Sequence, residues 1–105
     1  MIYYISIGNS DDKLSQMQWG KFYRKVDLLI QGYRQSGIQV HGRWVSQSTD
    51  YWQNACWCID TGQITATIEG SLKAQLRDLA GQFGQDSIAW ALAFETEFLS
   101  PPKAE

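Results

Sequence analysis

The side chains able to do chemistry are few. The chain has 105 residues with a single histidine, His41, and two cysteines, Cys56 and Cys58. On a strand Cys56 and Cys58 point to one face, and two thiols so placed are rarely bridged without strain. Metal sites want three or four ligands. The pattern therefore predicts free thiols in a reducing compartment, no bound metal and no cofactor. Nucleophilic catalysis would have to join His41 to Cys56 or Cys58 across neighbouring strands, and no third, orienting group is evident. Glu95 and Glu97 fall on one side of a strand end, where carboxylates are ordinarily solvated. The sequence leans away from an enzyme.

Binding chemistry is better represented. Tyr51-Trp52-Gln53-Asn54 places two large aromatics beside two amides. Amides read the edge of a base or the carbonyls of a small ligand, and an indole supplies a stacking plate. The bland alternative is a loop that buries Trp52 to pin itself down, with Asn54 satisfying backbone groups. Residues 8–13, Gly-Asn-Ser-Asp-Asp-Lys, offer backbone N–H groups before a helix. Asp11 and Asp12 would repel phosphate, and no second glycine or Lys-Ser/Thr pair makes this a P-loop. Helix entry is its expected duty.

The elements that must position these residues follow from periodicity. Residues 2–7 (IYYISI) read as a strand. Ser15 stands three residues before Gln18, a capping box. Trp19, Phe22, Tyr23, Val26, Leu29, Ile30 and Tyr33 then recur at helical spacing, and Gly37 supplies a left-handed stop. This predicts a helix over roughly residues 15–35. Residues 38–46 alternate as a strand, with Ile38, Val40, Gly42 and Trp44 on one face and Gln39, His41 and Arg43 on the other. A polar loop leads to ACWCID, whose Ala55, Trp57 and Ile59 oppose Cys56 and Cys58. Residues 61–70 are ambiguous between strand and cover. Leu72, Leu76, Leu79, Ala80 and Phe83 mark a second helix ending at Gly84, and residues 87–93 alternate again as a last strand.

The order β-α-β-β-α-β closes most simply as an α+β, ferredoxin-like sandwich: a four-stranded antiparallel sheet with both helices on one face. One domain is expected over residues 1–100, with 101–105 as a flexible tail. The uncovered sheet face should carry Tyr4, Ser6, His41, Arg43, Cys56, Cys58, Ala89 and Ala91. Aromatic and guanidinium groups on a flat sheet suit planar ligands. The same residues would also serve a dimer formed by back-to-back sheets.

Composition sets outer limits. Hydrophobic residues make up 44% and aromatics 13%, ample for a core, and the formal net charge is -2. No basic stripe appears, so binding of long nucleic acid is not expected. No stretch approaches the ~20 apolar residues of a membrane span, and the N-terminal residues read as a strand rather than a signal peptide. A cytoplasmic protein is expected.

The strings GNSDDKL, WQNACWC and QDSIAWA resemble a group of small ferredoxin-like proteins of actinobacteria and bacteriophages. The resemblance implies a self-standing cytoplasmic domain, and no activity travels with it. A small acidic domain with an aromatic surface is similar in kind to phage proteins that act against host defence, an analogy of class rather than motif. The expectation is a non-enzymatic homo-oligomer that captures a small polar ligand, a nucleotide signal. Trp52 would stack, Gln53 and Asn54 would read edges, His41 and Arg43 would meet phosphate or carbonyl groups, and Tyr4 would line the face. The rivals are an inhibitor that blocks a host protein by contact, and a small dimeric ferredoxin-like enzyme using His41.

Overall fold

The computed structural model describes residues 1–9, 11, 13–47 and 53–102. Seven elements follow one another: β1 (Ile2–Gly8), α1 (Gln16–Gly32), a 3-10 turn (Tyr33–Ser36), β2 (Gln39–Val45), β3 (Asn54–Asp60), α2 (Ala66–Gln82) and β4 (Ala89–Ala93). The sheet order is β2-β3-β1-β4, all neighbours antiparallel. Both helices pack on one face, giving the ferredoxin-like α+β sandwich.

Local sequence explains the boundaries. The Ser15 hydroxyl accepts from the Gln18 N–H at 3.2 Å while the Gln18 side chain accepts from the Ser15 N–H at 3.1 Å, so two orphan donors are satisfied reciprocally. The helical path ends in the 3-10 turn, and Gly37 takes φ 104°, a left-handed geometry that a side chain would strain. Residues 66–70 resolve as helix, not strand. The Thr65 hydroxyl accepts from the Ile68 N–H at 3.2 Å and starts α2, overriding the β-branched character of ITATI.

The core lies between sheet and helices. Ile5, Ile7, Ala55, Trp57 and Ile59 face Phe22, Val26 and Ile30 of α1 and Leu72 and Leu76 of α2. Trp57 is completely buried on the central strand β3. Its ring stacks on Tyr23 at 5.5 Å, and its indole N–H donates to Asp27 Oδ1 at 2.9 Å. Asp27 also accepts from Gln31 at 3.2 Å and is ion-paired with Arg43 of β2. Burial pushes the Asp27 carboxyl upward, but the hydrogen bonds from Trp57, Arg43 and Gln31, with the Arg43 charge, outweigh it and hold the pKa below the usual carboxylate value.

Strand β2 corrects the alternation read from sequence. Val40 lies opposite Ile59, but Gly42 lies opposite Cys58, so one extra residue, His41, makes a β-bulge. Because side chains alternate with period two, the extra residue inverts every face after it. Arg43 therefore sits opposite the buried Trp57, on the helix side, while Gly42 and Trp44 move to the open face. The other three strands keep their expected faces.

The Asp27 carboxylate gives a testable acid dependence. A depressed folded-state pKa contributes stability that is complete above the unfolded value of ~3.9 and is lost as pH falls through the folded value. Asp27→Asn should lower the melting temperature at pH 7, and its difference from the parent should shrink below about pH 4. A difference that stays constant from pH 7 to pH 3 would contradict the assignment.

Candidate functional site

The open sheet face is the surface that the fold leaves without cover. Residues opposite one another in an antiparallel pair share a face, so the registers place Tyr4 beside Cys58, Ser6 beside Cys56, and both against Ala91 and Ala89 of β4. On the other flank Gly42 lies beside Cys58 and Trp44 beside Cys56. Tyr4 is 42% exposed and Trp44 57%. They stand on β1 and β2 with β3 between them, two residues out of line along the strands, so their backbones are about 12 Å apart. Between them lie the thiols of Cys56 and Cys58, with the Ser6 hydroxyl and Gly42 at the other two corners, while Ala89 and Ala91 lie beyond Tyr4 on β4.

Cys56 and Cys58 are both free and half-buried. The Ser6 hydroxyl donates to Cys56 Sγ at 3.4 Å, and the sulfur of Cys58 pushes the Tyr4 phenol above its ordinary pKa. Lys and Arg are absent from the open-face positions of the four strands. Asp60, the carboxylate there, is held below its usual value by the Gly62 N–H and the Met1 amino group. Among the described residues, no group of three His, Cys, Asp or Glu is placed to hold a metal ion. No helix of the described residues is long and apolar enough to cross a membrane.

The residues expected to bind do not form one cluster. Tyr4 is on the open face. Arg43 is on the helix side, ion-paired with Asp27. His41, the bulge residue, lines a shallow hollow at the β2 edge with Gln31, Arg34 and Arg43. Trp52 lies outside the described residues, as do Tyr51, Ser10 and Asp12. Asn54 begins β3 opposite Gly8, and its side-chain oxygen occupies the space that a Cβ at Gly8 would approach to 2.8 Å.

Gln53 is buried, and its amide is engaged internally. Its Oε1 accepts from Asn9 Nδ2 at 2.9 Å and from Gln16 Nε2 at 3.2 Å, and its Nε2 donates to Gln16 Oε1 at 2.6 Å. Asn9 closes the network by donating to the Leu14 carbonyl at 3.0 Å and accepting from the Leu14 N–H at 2.9 Å. Its backbone N–H donates to the Gln53 carbonyl at 2.8 Å. The entry to α1 and the start of β3 are thereby joined. Trp44 is the residue that sequence reasoning assigned to the core. A glycine next to the lone histidine was the signal for the bulge that exposes it.

Comparison with protein-family models, with curated proteins and with solved structures returns no significant match.

Removing Asn9 tests the buried network. Asn9→Ala leaves the Leu14 N–H and carbonyl without their side-chain partner, and should cost about 1–3 kcal/mol. For a domain of this size each kcal/mol lowers the melting temperature by about 4–8 °C. An unchanged thermal melt would show that the network carries no stability.

Proposed function

We propose that this is a non-enzymatic binding protein whose open sheet face captures a small planar polar ligand. The observation that carries the reading is the exposed pair Tyr4 and Trp44, set on either side of Cys56 and Cys58. Each ring offers a stacking plate worth about 1–3 kcal/mol to a planar base. The Ser6 hydroxyl, the Tyr4 phenol and the Asn54 amide supply donors and acceptors around the edge. A face without Lys or Arg suits the neutral ring of a nucleobase or nucleoside better than a row of phosphates. A phosphate carried by a nucleotide signal would extend toward His41 at the β2 edge.

Sequestration fits better than turnover. His41 lines the hollow of Gln31, Arg34 and Arg43 at the β2 edge. The half-buried free thiols fit a reducing cytoplasm.

Calorimetric titration with a panel of nucleosides, mononucleotides and cyclic dinucleotides tests this. At least one member should bind, and Trp44→Ala and Tyr4→Ala should each weaken it about 5-fold to 150-fold, the loss of one stacking contact. Both substitutions lie at exposed positions and should change stability by no more than ~0.5 kcal/mol. Lys73→Ala, on α2 and away from the open sheet face, should leave the affinity unchanged. No binding by any member, or binding indifferent to Tyr4 and Trp44, would overturn the reading.

A further inference from the structure

The segment after β4 carries a feature that ligand capture does not use. Residues 94–102 have no regular secondary structure, and within them Phe94, Phe98 and Leu99 are 87%, 88% and 85% exposed. Three large apolar side chains so bare on so short a segment mark an interaction site.

A complementary surface lies on the helix side. Between α1 and α2 runs a groove of two adjoining hollows, about 350 and 580 Å³, which share Leu28, Leu29 and Gln75. Leu28 is 71% exposed there. Each helix has 17 residues and is therefore about 25 Å long. Residues 94–102 fully extended reach ~30 Å, which matches the groove. In an extended segment Phe94, Thr96 and Phe98 point one way and Glu95 and Glu97 the other. Two phenyl rings can enter the groove while the carboxylates lie along its walls.

Charge selects this face over the sheet. The helices carry five Lys or Arg against Asp27, Glu69 and Asp78, and Asp27 is already paired with Arg43. The segment carries Glu95 and Glu97 and no cation within residues 94–102. Lys25 and Asp78 both line the groove itself, Lys73 and Arg77 line a separate hollow beside β4, and the remaining excess of cations is on α1. The open sheet face has no Lys or Arg to meet those carboxylates.

We propose that residues 94–102 of one copy dock in the α1–α2 groove of a second copy, and that the exchange is reciprocal. One segment alone is small beside the ~800 Å² per partner of a stable interface, whereas a two-fold exchange doubles the contact. The sheet face stays free, so this assembly is independent of ligand capture there.

Light scattering on the size-excluded full chain, at tens of micromolar, tests it. The parent should show the mass of two chains. Phe94→Glu combined with Phe98→Glu, both outside the core, should reduce it to one, and so should Leu28→Glu at an exposed groove position. Each variant should melt as the parent monomer unit does. Trp44→Ala should stay dimeric, which separates this inference from the ligand reading. A monomeric parent would overturn the proposal, as would a dimer that survives the segment variant or the groove variant.

Discussion

The seating of Trp57 is the constraint on which the rest of the structure depends. A fully buried indole on the central strand must satisfy its N–H, and Asp27 of α1 is the acceptor. A carboxylate beneath a sheet needs a cation in turn, and Arg43 of β2 supplies it. One aromatic ring thus fixes where α1 lies, which way β2 must turn, and which side Arg43 must face. The cost of burying a charge is offset because the pair is hydrogen-bonded on several sides.

The open face is the consequence. With Arg43 turned to the helix side at the sheet edge, the bulge at His41 moves Trp44 to the outer surface and puts Gly42 beside Cys58. The outer face loses its cation and gains an indole. Core and open face are therefore coupled through one extra residue in one strand. The polar network of Asn9, Gln16 and Gln53 fixes the other end of the sheet, joining the start of β3 to the entry of α1.

Much of this was legible in the residues. The capping pair Ser15 and Gln18, the stripe from Trp19 to Tyr33, and the alternation of Ala55, Trp57 and Ile59 each carry their own periodicity, and the element order then leaves one simple closure. What could not be read has physical reasons. A bulge changes no residue type, only the count of residues between paired positions, so the regular alternation of β2 put Arg43 and Trp44 on the wrong faces. A buried amide and a ligand-reading amide look alike in sequence, and Gln53 proves to be internal because Asn9 and Gln16 meet it across the fold. Thr65 looked like one of several β-branched residues, and only its hydroxyl on the Ile68 N–H marks it as a helix start. For the open sheet face the sequence supplied Tyr4 and its neighbours on β1, β3 and β4, and it missed Trp44.

Native mass spectrometry of the chain, purified from cells without refolding, tests the central claim most directly, because a sequestering protein keeps its ligand through purification or takes it up from a defined panel. The account predicts added mass of a small organic molecule, one per chain, on the parent protein and its loss from Trp44→Ala. A parent chain with no adduct, even after incubation with nucleosides and nucleotides, would contradict it.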